Sequence, residues 1–167
     1  MRAVTVSAPG ARDLVVVRSF DAPRHLVFDA LTRPELLVRW LGAQGWRLVE
    51  CEVDLRPGGA WRFVSTGPDG QKMGHGGHYV EVVPGERLAY TESYDDQWVE
   101  GEALVTAELA ESGGPPELPE LPELTVLTTT IRFPSREVRE AALRSPMESG
   151  LAHGYARLDE ILEGLTA

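Results

Sequence analysis

Apolar and polar residues alternate with a period of two through most of positions 13–133, then repeat at steps of three and four to the end of the chain. The first spacing is that of strands and the second that of a helix. Residues 1–10 read as a loose start or a short strand end. Residues 13–20, with Leu14, Val15, Val16 and Val17 in a row, read as a strand buried on at least one face. Asp21-Ala22-Pro23 then starts a helix, with Asp21 as its cap and Pro23 in its first turn. Val27, Phe28 and Leu31 share one helical face. Pro34 interrupts, and a second short helix over 35–40 ends at Gly42 and Gly45.

Six further strands follow, over 49–55, 60–66, 76–83, 87–94, 102–109 and 124–133. Their spacing and turn residues predict an antiparallel meander. Arg56-Pro57-Gly58-Gly59 makes the first tight hairpin, because proline fixes φ and glycine permits φ > 0. Gly67-Pro68-Asp69-Gly70 and Pro84-Gly85 make the next turns. Cys51 alternates with Val49, Val53 and Leu55, so it is expected to face the core. In the last strand Leu127, Thr129, Ile131 and Phe133 point one way. Residues 111–123 repeat Glu-Leu-Pro, and their prolines remove ladder donors; they read as a Pro-rich hairpin insertion. Ser135 caps the closing helix, which runs to about residue 165 through Val138, Ala142, Met147, Leu151, Tyr155, Leu158, Leu162 and Leu165. Pro146 and Gly150 predict a bend or break near residue 145.

This order makes an α+β chain, and 167 residues are expected to form a single domain over 1–167. The formal net charge of −10 argues against nucleic acid and against an anionic membrane surface, both of which need clustered cations. The lone cysteine excludes an internal disulfide and a Cys-rich zinc site. No basic start with an apolar run is visible, and no stretch approaches the ~20 apolar residues of a membrane span, so the expected compartment is the cytoplasm.

A closing helix that presents Gly150, Ala152 and Gly154 to a curved sheet leaves room beneath it. Trp40, Trp61, Phe63, His78, Tyr90, Thr129, Met147, Leu151 and Tyr155 are the candidate walls, and such a lining suits an apolar ligand. A filled core would carry the same pattern. His78 or Glu92 inside an apolar cavity is a candidate catalytic base, because burial shifts its pKa. His75 and His78 lie on opposite faces of a strand, which spoils chelation, so no metal is expected. Asp95, Asp96, Glu100 and Glu102, beside Trp98, read as a solvated acidic loop. No Ser nucleophile elbow and no phosphate-binding glycine loop before a helix occur.

The segments Arg18-Ser-Phe-Asp-Ala-Pro-Arg24, Asp54-Leu-Arg-Pro-Gly-Gly59, Pro68-Asp-Gly70, Gly77-His-Tyr-Val-Glu-Val82, Glu86-Arg-Leu88 and Thr129-Thr-Ile-Arg-Phe133, with Gly150 in the last helix, resemble the START-like (SRPBCC) superfamily. Within it, the chain is similar to bacterial proteins like the activator of the heat-shock-protein 90 ATPase. The resemblance implies a helix-grip fold: a curved antiparallel sheet wrapped around a long C-terminal helix, with two short helices after the first strand. It implies three readings. The first is a small apolar or aromatic molecule bound in the internal cavity without a cofactor. The second is a chaperone partner and a part in the stress response. The third is a cyclase, dehydratase or hydrolase reaction in the same cavity. Binding without catalysis is the reading favoured here, in a monomer or a homodimer.

Overall fold

The computed structural model describes residues 2–95, 99–112 and 124–166. Its strands are β1 (Thr5–Ser7), β2 (Asp13–Phe20), β3 (Arg47–Val53), β4 (Ala60–Thr66), β5 (Lys72–Val83), β6 (Arg87–Tyr94), β7 (Glu102–Ser112) and β8 (Leu124–Arg132). They form one antiparallel sheet in the order β1-β2-β8-β7-β6-β5-β4-β3. The meander arises because each tight turn returns the chain beside the strand it has just left. Only β2 leaves that order, joining β8 and so bringing the two ends of the sheet-forming chain together. The helices are α1 (Arg24–Thr32), α2 (Pro34–Trp40), α3 (Arg136–Arg144) and α4 (Met147–Thr166). The curved sheet with a long C-terminal helix over its inner face is the helix-grip fold.

Strict alternation sets the inner face. In β2, Leu14, Val16, Arg18 and Phe20 are buried, while the residues between them are half-buried. The hairpin into β4 closes as expected, with Asp54 N–H donating to the Ala60 carbonyl at 3.0 Å. Several strands differ from the sequence pattern, β3 running over Arg47–Val53 rather than 49–55. A bulge between Leu48 and Glu50 shifts the register of β3, so Leu48 is buried and Val49 is exposed. Cys51 is half-buried and packs on the core, and burial raises its thiol to about 11. β5 starts at Lys72 rather than Gly76, because glycines there hide the alternation. β7 keeps its ladder through Ser112, so Glu111 and Ser112 belong to a strand, not to the Pro-rich insertion. The rest of that insertion, 113–123, lies outside the described residues, as do Asp96 and Trp98.

Asp21 does not cap α1; it pairs with Arg2 at 2.5 Å. The first helical N–H, of Arg24, is taken by the Glu111 carboxylate of β7 at 2.9 Å. Ser135 does cap α3, accepting from Val138 N–H at 3.2 Å. The expected interruption is a break: α3 stops at Arg144 and α4 begins after Pro146, which has no N–H to continue the ladder. Tyr155, Leu158, Ile161 and Leu162 are the buried face of α4, whereas Leu165 is exposed beyond the core. Tyr155 meets the Phe20 ring edge-on at 5.4 Å and stacks on Trp40 at 5.9 Å. No described helix is long and apolar enough to cross a membrane.

The small residues of α4 do not face the sheet. A Cβ on Gly154 would sit 3.4 Å from the Trp40 carbonyl oxygen, and one on Gly150 would sit 3.3 Å from the Ala43 Cβ. They let α4 approach α2 and the connection after it. Any space beneath the helix therefore has to come from the sheet side.

Candidate functional site

The inner face of β4, β5 and β6 is aromatic because three strands contribute rings at alternate positions. Trp61 and Gly77 are register partners. With no side chain on Gly77, the indole crosses β5 and donates its Nε1–H to the Thr91 carbonyl of β6 at 3.1 Å. A Cβ on Gly77 would collide with that carbonyl oxygen. His78 N–H turns instead to the Thr91 hydroxyl at 2.9 Å. Around the indole lie Phe63 at 4.9 Å, Tyr90 at 5.3 Å and His75 at 5.4 Å between ring centres. His75 in turn stacks on Tyr94 at 4.7 Å, and Tyr90 meets Tyr79 at 6.2 Å.

Two titratable groups belong to this belt. His75 is buried, and its Nδ1 has no hydrogen-bond partner among the described residues. Burial, helped by the Arg62 guanidinium and opposed by Asp95, depresses it to about 4. It is therefore neutral at physiological pH. Glu92 lies between Tyr90 and Tyr94 on β6, and burial raises its carboxyl to about 7. It makes no hydrogen bond or ion pair among the described residues. Burial first, and then the Glu92 charge, also raise Tyr90 and Tyr94.

Glu92, Tyr90 and Tyr94 are each only partly exposed. Two hydrophobic clusters lie beside these residues. One holds Phe20, Trp40, Trp61, Phe63, Tyr155 and Leu158. A second, under α3 and the start of α4, holds Leu14, Ala103 and Phe133 with Met147 against it. Ala103 is the register partner of Glu92 on β7. Glu92 thus lies between the two clusters, with Tyr90 packed on the first and Ala103 in the second.

The expected lining divides accordingly. Trp61, Phe63, Tyr90 and Glu92 come together. Tyr155 and Leu151 belong to the same cluster from the helix side, with Thr129 beside Tyr155; burial raises that phenol while the Thr129 hydroxyl and the Arg18 guanidinium pull it down. Trp40 is buried behind Tyr155, its Nε1–H given to the Ala30 carbonyl at 2.9 Å, so it supports the site without facing it. Met147 belongs to the second cluster. His78 is corrected: it is exposed on the outer face and lines nothing. Tyr79 is the buried aromatic that sets the inward positions of β5, and counting back by two reaches His75. The glycines between them hide that parity in the sequence. Tyr94 follows from Tyr90 by the same count.

Asp95 of the acidic loop is bound to Arg62 at 2.5 Å, which removes it as a free cation ligand; Asp96 lies outside the described residues. Among the described residues no His, Cys, Asp or Glu cluster is spaced to hold a metal ion. A separate open depression of about 370 Å³ lies between Trp46, Arg47, Thr66 and Arg157, away from the aromatic belt.

A family model described as "Activator of Hsp90 ATPase homolog 1-like protein" matches residues 21–163. A crystal structure from Rhodobacter sphaeroides is 32% identical, with a TM-score of 0.86 over 97% of this chain and 99% of that one. One from Chromobacterium violaceum is 27% identical, with a TM-score of 0.71 over 90% and 97%. One from Nitrosomonas europaea, 24% identical with a TM-score of 0.79 over 95% and 99%, shares the fold. A comparison with curated proteins finds no match.

Proposed function

Since this chain belongs to the family of Activator of Hsp90 ATPase homolog 1-like proteins, we propose that it uses the helix-grip interior to bind a small, largely apolar or aromatic molecule. The supporting observation is the inner face around Glu92, where an unpartnered carboxyl and the partly exposed rings of Tyr90 and Tyr94 lie between two hydrophobic clusters. Rings at Trp61, Phe63, Tyr90 and Tyr94 offer flat apolar surface, and few polar groups interrupt it. Such a lining holds a guest by area and shape, and its polar groups set orientation. The guest enters with no resident cofactor.

The test is displacement of an environment-sensitive dye, with native mass spectrometry of freshly purified protein for any co-purified molecule. Saturable dye binding weakened by Tyr90→Ala and unaffected by the outward His78→Ala supports the reading. A dye that does not bind, or binds equally to Tyr90→Ala, removes it.

Family membership favours a second reading, a protein-interaction module that assists a chaperone ATPase. Stimulation of the Hsp90 ATPase by the purified chain, under conditions where the dye site stays empty, would put that reading first.

A further inference from the structure

We infer that the interior site is made for an organic cation, with Glu92 as its counter-ion. The inference rests on the binding reading above and narrows the ligand to one chemical class.

Several polar groups turned inward are already engaged, although the His75 Nδ1 is not. Arg18 gives its guanidinium to Asp159 and to the Ser19 carbonyl. Trp61 is bound to Thr91, and the Thr125 hydroxyl to the Ala22 carbonyl. Glu92 has no hydrogen-bond or ion-pair partner among the described residues, and its register neighbour on β7, Ala103, offers only a methyl group. A partly exposed carboxyl with no partner and with Tyr90 and Tyr94 on either side is half of an ion pair.

The surroundings decide the sign of the other half. The faces of aromatic rings carry negative potential and attract cations. An anion would meet those faces, the Glu92 carboxylate and a chain of net charge −10. A neutral hydrocarbon would fill the room and leave the carboxyl desolvated and unpaired, which is costly. An ammonium or comparable nitrogen cation neutralises Glu92 and gains the ring faces at once. The carboxyl, raised to about 7 when the site is empty, is poised to give up its proton as the cation arrives. Near neutral pH that exchange demands little.

Three probes of one shape and size separate the possibilities. They are protonated N,N-dimethylphenethylamine, its hydrocarbon counterpart isopentylbenzene, and the uncharged ketone 4-phenyl-2-butanone, each measured by displacement of the bound dye at pH 7.5. The amine is expected to bind about tenfold more tightly than either uncharged compound. In Glu92→Gln the three are expected to bind alike, with the circular dichroism spectrum unchanged. Tightest binding of the ketone would overturn the inference, because Glu92 would then be a protonated donor to a carbonyl. Tighter binding of isopentylbenzene, or an amine preference that survives Glu92→Gln, overturns it as well. In those cases the binding reading stands. If none of the three displaces the dye and no saturable dye site exists, both fall together.

Discussion

Arg18 and Asp159 form a two-pronged ion pair between the inner face of β2 and α4, Nη1 to Oδ1 at 2.9 Å and Nη2 to Oδ2 at 2.6 Å. Arg18 is 1% exposed, whereas Asp159 keeps 35% of its side-chain surface. The guanidinium also lies 4.8 Å over the Phe20 ring. The pair fastens the helix to the sheet at one defined point. Asp159→Ala leaves a buried cation without its partner, and its Nε already lacks one. The expected loss is about 2–4 kcal/mol in urea unfolding, the lower part of the buried-pair range because Asp159 is partly solvated. Replacing both residues, Arg18→Met with Asp159→Leu, is expected to recover most of it. Equal losses in the single and double variants would show that the pair does not act as a unit.

Gly77 should tolerate no side chain. Its Cβ position is occupied by the Thr91 carbonyl oxygen, which the Trp61 indole needs as acceptor. Gly77→Ala is expected to cost about 3 kcal/mol or more, since backbone rather than a flexible side chain has to move. Trp61→Phe keeps most of the ring and loses the hydrogen bond, for about 1–2 kcal/mol. Thermal melts of the two variants give the order directly, and a milder Gly77→Ala contradicts the crossing geometry.

His75 and Glu92 should push stability in opposite directions as the pH changes. Glu92 is raised from 4.5 to about 7, so between those values the folded state holds a proton that the unfolded state has lost. Stability from this group falls as the pH rises through that window. His75 is lowered from 6.5 to about 4, so between those values the unfolded state holds the extra proton. Its contribution is lost as the pH falls from 6.5 toward 4. Each amounts to about 2–3 kcal/mol after allowance for the partial exposure of Glu92, and the two largely offset each other in the native chain. Glu92→Gln is therefore expected to gain on the native protein as the pH rises from 4.5 to 7. His75→Phe is expected to gain on it as the pH falls from 6.5 to 4. Denaturant midpoints from pH 4 to 8, compared as differences from the native chain, check both signs; flat difference curves contradict the burial of either group.

Gly154 lies where α4 packs against the end of α2. Its Cβ position lies at ordinary contact distance from the Trp40 carbonyl, so Gly154→Ala should be neutral or slightly stabilising, through helix propensity. Gly154→Leu has no room and is expected to cost about 2 kcal/mol or more by prising α4 from α2. Equal melting temperatures for the Ala and Leu variants would show that the helices do not close on this glycine.

Local chemistry in the chain carried much of this protein. The period-two runs of β2, β4 and β6, the turn at Arg56-Pro57-Gly58-Gly59, the Ser135 cap and the break before Pro146 each depend on a few neighbouring residues, so their spacing alone determined them. The opposition of His75 and His78 was equally legible, because three steps along a strand always reverse the face. Which histidine enters the core was not, since that depends on how β5 pairs with β4 and β6, and the bulge at Val49 shows how one extra residue reverses such a count. Glu92 could be named as a buried carboxyl candidate, but its freedom from partners could not. Tertiary structure alone decided that Gly77 makes way for Trp61, that Gly154 faces α2 and Gly150 the connection after it, and that Arg18 meets Asp159 from the other end of the chain. Contacts of that kind join residues far apart in sequence, and no periodicity in either segment records its partner.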